Sequence, residues 1–96
     1  AREKGQFLKA GLEKLKVQYP DLVNVVRGRG LMLALVLNES TTRLIELLRK
    51  SQLLVVGAAE NSIRYLPPLT VTKNELQEGL EITGNALSLI QKDQRK

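Results

Sequence analysis

A chain of 96 residues suits one domain of ordinary small size, with enough apolar sequence for a single core and two packed layers. It has no cysteine and no histidine, which excludes disulfides, zinc centres and thiol or imidazole catalysis and leaves chemistry to Lys, Arg, carboxylates, hydroxyls and backbone. The formal charge of +5, from 15 Lys plus Arg against 10 Asp plus Glu, is spread through mixed-sign stretches and gathers only at the final QKDQRK, so no basic patch is marked out.

Along the chain, residues 2 to 17 place Phe7, Leu8, Leu12 and Leu15 on one helical stripe, with lysines and Glu13 elsewhere, and Tyr19-Pro20-Asp21 stops the helix. The segment LVNVVRGRGLMLALVLN is rich in branched residues and broken only at Gly28 and Gly30. It reads as two strands joined by a tight turn near Gly28-Arg29. In LMLALVL, Leu31, Leu33, Leu35 and Leu37 share one face and Met32, Ala34 and Val36 the other; both are apolar, so this strand is expected to be central and covered on two sides. STTRLIELLRKSQ spaces Leu44, Ile45, Leu47 and Leu48 as a second amphipathic helix opened by a Ser or Thr cap. LLVVG follows as a short buried strand ended by Gly57, AAENS as a loop, and IRYLP as the last strand. Thr72 and Glu75 then form a capping box, Val71 and Leu76 occupy the staple positions, and a final helix carries the stripe Leu76, Leu80, Thr83, Leu87, Ile90.

The expected order is α-β-β-α-β-β-α, an α+β two-layer sandwich with a small antiparallel sheet and the helices on one face. Two layers cover only one sheet face. The second face of the apolar central strand is therefore either thinly exposed or covered by a missing partner domain.

Few residues qualify as a site. Arg27 to Gly30, RGRG, lacks the rest of any dinucleotide or phosphate-loop pattern and is followed by a strand where a helix N-terminus would be needed, so a hairpin turn is the default reading. Ser40, Thr41 and Thr42 read as helix caps, and the lysines fall on polar helix faces or in turns. Arg64 differs. It alternates with Ile63 and Tyr65 and shares its face with Ser62 and Leu66, and the chain leaves the strand through Pro67-Pro68. An arginine there is ordinarily a solvent-facing residue at a sheet edge. The apolar frame of Leu66, Pro67, Pro68 and Leu69 gives that edge little freedom, and a guanidinium held so can offer its planar fork to a carboxylate.

The motifs VVRGRGLMLALVL and LLVVGAAENSIRYLPPLTVTKNELQEGLEI, separated by a helix, together resemble the C-terminal small domain of the class III, fold-type I, pyridoxal-phosphate aminotransferases, most of all acetylornithine aminotransferases. The resemblance spans about residues 5 to 91. It implies that residues 1–96 are one domain of a longer transaminase, serving arginine biosynthesis, that transfers an amino group from an acetylornithine- or ornithine-type donor to 2-oxoglutarate. It implies a large domain of the same enzyme that holds pyridoxal 5'-phosphate and the Schiff-base lysine, a homodimer at full length, and little activity in this chain alone. Arg64, in I-R-x-L-P-P, is implied to bind a carboxylate of the amino-acid or 2-oxo-acid substrate. Gly28 and Gly30 are implied to be structural, and no residue here is assigned to the cofactor, to a metal or to catalysis.

Other classes remain open at this level. A sequence pI near 9.8 also fits a stand-alone basic α+β module for RNA or another polyanion, which a salt-dependent RNA titration distinguishes. Against it, one Phe, two Tyr and no Trp supply no aromatic set for stacking bases, and a nucleic-acid partner is not expected. A third reading is an interaction domain docking through the second sheet face. The run Leu31 to Leu37 is too short to span a membrane and AREKGQF is unlike a signal peptide, so a soluble, cytoplasmic setting is expected, with neither a membrane nor secretion. The start at Ala1 hints at a piece of something longer.

Overall fold

The computed structural model describes residues 2–29, 32–49, 55–58, 61–67 and 70–94. Its elements run α1 (Arg2–Gln18), β1 (Val23–Arg29), β2 (Met32–Leu37), α2 (Thr42–Leu48), β3 (Val55–Ala58), β4 (Ser62–Tyr65) and α3 (Lys73–Gln94), the order the sequence predicts. All neighbouring strands are antiparallel, and their order across the sheet is β1-β2-β4-β3.

Apolar spacing explains which face each element buries. Leu8, Leu12 and Leu15 of α1 are buried with Leu76, Leu80, Leu87 and Ile90 of α3, and Leu44 and Leu48 of α2 join them. Beneath lie Val26, Leu33, Leu35, Leu37, Ile63 and Tyr65, one alternate face of the sheet, so the helices cover a single side as expected. Each fully buried leucine contributes about 1.5–3 kcal/mol relative to exposure. The α1 and α3 axes approach closely where α1 has no side chain: a Cβ at Gly11 would lie 2.2 Å from Leu80 Cδ1.

The start of α3 follows the predicted capping box in both directions. The Glu75 amide donates to Thr72 Oγ1 at 3.1 Å, and the Thr72 amide donates to Glu75 Oε1 at 3.0 Å, with Val71 and Leu76 both buried. Thr72→Ala is expected to lower the stability of this chain by about 1 kcal/mol, read as a lower urea midpoint at unchanged slope. The entry to α2 differs from expectation. Thr41 at the cap makes no side-chain bond to the helix; instead Ser40 Oγ accepts the Thr42 amide at 3.3 Å. Thr41 has helical dihedrals and is almost fully buried, so its hydroxyl is not aimed back at the helix amides. The exposed Arg43–Asp93 ion pair links α2 to the end of α3.

The sheet corrects several sequence expectations. The tight turn does not fall at Gly28-Arg29: both residues are in β1, with Gly28 opposite Leu33 and Arg29 opposite Met32. Gly28 has φ +113°, and a Cβ there would lie 2.0 Å from the Met32 carbonyl oxygen. It is a strand residue whose backbone conformation and close approach both require glycine. Gly30, the other glycine of the motif, lies outside the described residues, as do Leu53, Leu54, Pro68 and Leu69. Gly57 does not end its strand, since β3 continues to Ala58, and Ser62 belongs to β4 rather than to a loop. Between them Asn61 adopts φ 59°, a left-handed conformation that asparagine tolerates. The last strand stops at Tyr65, before Leu66 and Pro67.

β2 is central, between β1 and β4, and its two faces are covered unequally. Leu33, Leu35 and Leu37 are buried beneath the helices, while on the other face Met32 is 78% exposed, Ala34 half-buried and Val36 buried. Within this chain the second face is open around Met32 and Ala34, which leaves both alternatives, an exposed face or one covered by a further domain, standing.

Candidate functional site

Arg64 does not stand at a sheet edge. β4 lies between β2 and β3, so Arg64 is opposite Ala34 on one side and Val56 on the other. The expectation failed because strand order depends on non-local pairing: β4 inserts between β2 and β3 instead of adding outside them. The consequence is a stiffer mount than an edge, since the Arg64 backbone is laddered on both sides. Its side chain projects to the open face and is exposed, as its alternation with buried Ile63 and Tyr65 predicts.

The register places a second cation on this face. Arg27 is opposite Ala34, so Arg27, Ala34, Arg64 and Val56 form one row across all four strands. Two strand spacings put the Cα atoms of Arg27 and Arg64 roughly 10 Å apart. At that distance two unit charges repel by about 0.4 kcal/mol in water and about 1.7 kcal/mol at an effective dielectric of 20, a modest cost for sharing one surface. Both line an open groove of about 470 Å³ whose other walls include Met32, Ser62 and Leu66. The combination of planar cationic forks with apolar walls suits a small organic anion. Sequence reasoning passed over Arg27 because it assigned the residue to a turn. Continuing the first strand to Arg29, with Arg29 opposite Met32, would have placed Arg27 opposite Ala34.

The opposite side of β4 fixes the strand to the helical layer. The Tyr65 hydroxyl lies 3.0 Å from Thr83 Oγ1, and Thr83 Oγ1 donates to the Gly79 carbonyl at 2.8 Å, all within the core. A threonine hydroxyl has one proton, which Gly79 receives, so Tyr65 is the donor to Thr83. Burial pushes the Tyr65 phenol up to about 12, which keeps it neutral and a donor at ordinary pH.

Among the described residues, lysines give no covalent-catalysis candidate: Lys4 and Lys16 are half-buried on α1, and Lys9, Lys14, Lys73 and Lys92 are exposed. A larger groove of about 640 Å³ lies on the outer side of α1 and α3, walled by residues such as Phe7, Lys14, Gln77 and Glu81. It contains no arginine and no buried ionic group, and the open sheet face remains the better candidate. Among the described residues no helix is long and apolar enough to cross a membrane, and no cluster of carboxylates has metal-site geometry.

Comparison with known proteins bears on this arrangement. The family model for class-III aminotransferases matches residues 1–87. The mitochondrial acetylornithine aminotransferase of Neurospora crassa is 43% identical over 81 residues, covering 84% of this chain and 18% of that protein. Among solved structures, a lysine aminotransferase from M. tuberculosis superposes with TM-score 0.83 at 33% identity over 93% of this chain and 21% of its own. The acetylornithine aminotransferase from Elizabethkingia anophelis superposes with TM-score 0.79 at 30% identity, covering 90% of this chain and 22% of its own. The chain thus spans about a fifth of the length of the relatives it matches.

Proposed function

The chain belongs to the class-III aminotransferase family, and on that premise we propose that it is the C-terminal small domain of a transaminase of acetylornithine or ornithine type, in which Arg64 binds a substrate carboxylate. The observation that carries the reading is the placement of Arg64. A strongly basic fork stands exposed on an interior strand, over a groove, on the one sheet face that the helices of this chain leave open.

Pyridoxal phosphate, the family's cofactor, needs a lysine amine in an enclosed site. The described lysines lie exposed or half-buried on and around the helices, so none among the described residues offers the cofactor an enclosed amine. We therefore assign cofactor binding and proton transfer to a larger domain of the same polypeptide, packed on the open face around Met32, with a homodimer as the working assembly. The cytoplasmic setting expected from the sequence stays with this proposal, although the Neurospora crassa relative carries a mitochondrial name.

The work left to this chain is orientation. When bound, the cofactor supplies the electron sink, and the protein must hold the substrate's Cα–H bond at the correct angle to it. A bidentate guanidinium at one end of the substrate sets that angle, and a small domain moving as a unit can bring it over the site. Arg64 is thus a binding and positioning group with no part in proton transfer.

The test is direct assay of the full-length enzyme with N-acetylornithine and ornithine as donors and 2-oxoglutarate as acceptor. Glutamate formation with at least one donor is the expected result, and the 96-residue chain alone should give none. No glutamate from either donor would set the substrate assignment aside.

A further inference from the structure

Arg64 stands one residue from the end of a strand of only four residues. The last ladder step is Tyr65, paired with Leu33 and Val55, and Leu66 and Pro67 beyond it are outside the strand. Short strand ends open most easily, and here an opening begins beside the candidate carboxylate fork. Tyr65 is also where the strand is tied to α3, through its hydroxyl to Thr83 and from Thr83 to the Gly79 carbonyl.

Phenylalanine would fill the same buried volume without a polar atom. The phenol oxygen has to be desolvated and then bonded, an exchange whose net gain in stability is small. What the hydroxyl adds is direction, because a hydrogen bond fixes distance and angle where apolar packing tolerates sliding. We propose that the Tyr65–Thr83–Gly79 chain is a positioning device that holds the end of β4, and with it Arg64, at a set place relative to α3. The inference rests on the carboxylate reading of Arg64 and adds Tyr65 and Thr83 to it as positioning residues.

The experiment compares Tyr65→Phe, Thr83→Val and the double variant in the full-length enzyme, with two readouts. Hydrogen exchange of the β4 and α3 amides reports local stability, and KM for the donor and the oxo-acid acceptor reports placement of the fork. Removing one partner leaves the other unsatisfied, whereas removing both with shape retained is nearly neutral for stability. Protection is therefore expected to fall in Thr83→Val and to return towards wild type in the double variant. KM is expected to rise about fivefold in Tyr65→Phe and to stay raised in the double variant, since small misplacements of a positioning group carry large kinetic costs.

A double variant that recovers both protection and KM overturns the proposal, because the tie is then packing alone. Wild-type KM in Tyr65→Phe overturns it as well. Arg64→Gln measured alongside separates the role of the guanidinium from that of the Tyr65–Thr83 tie. An unchanged KM there removes the carboxylate reading and this inference together, while a raised KM there with wild-type KM in Tyr65→Phe removes the inference only.

Discussion

Arg64→Gln in the full-length enzyme is expected to raise KM for the carboxylate-bearing substrates about 100-fold, the worth of two charge-assisted hydrogen bonds. The side chain is exposed and opposite Ala34 and Val56, so glutamine fits the same space and the core beneath is untouched. Folding and cofactor loading should therefore be as in wild type. Arg64→Lys should recover little of the loss, because an ammonium restores charge but not the planar pair of donors. A salt-insensitive loss would mark a short, desolvated contact rather than long-range attraction, which is screened within about 8 Å at physiological ionic strength. Steady-state kinetics at two salt concentrations reads all of these outcomes.

The largest expected effect on folding comes from Gly28. Alanine there meets the Met32 carbonyl oxygen at 2.0 Å and Leu33 Cα at 3.0 Å, both backbone positions that cannot swing away, and it would have to hold φ +113°. The combined clash and strain should cost about 3–5 kcal/mol, enough to unfold much of a marginally stable domain. Gly57→Ala is the control. Its Cβ meets Ile45 Cδ1 at 3.0 Å, the far end of a flexible side chain, and the cost should be about 1 kcal/mol or less. Urea unfolding of the two variants beside wild type tests the contrast, and equal destabilisation would contradict it.

These two residues also mark where the sequence was legible and where it was not. The stripes of α1 and α3, the Thr72–Glu75 capping box and the alternation around Arg64 follow from local periodicity and capping chemistry, and the structure has them as expected. The hairpin was misplaced because Gly28 has the left-handed φ of a turn glycine while pairing with Leu33 inside a strand. That shift hid Arg27, which a turn would have turned away from the sheet. The edge position expected for Arg64 failed for another reason: the order β1-β2-β4-β3 is a matter of long-range pairing, which no local pattern encodes. The face of Arg64 was legible, its place in the sheet was not.

The claim that Arg64 grips a carboxylate is tested most directly by a cycle that removes the residue and the substrate group in turn. Dissociation constants of the full-length enzyme would be measured for an amino-acid substrate and for its carboxamide analogue, with wild-type protein and with Arg64→Gln. If Arg64 binds the carboxylate, the carboxamide should bind wild type about 100-fold more weakly, and the Arg64→Gln variant should hardly distinguish the two ligands. An equal preference for the carboxylate in both proteins would contradict the account and place the carboxylate contact elsewhere in the enzyme.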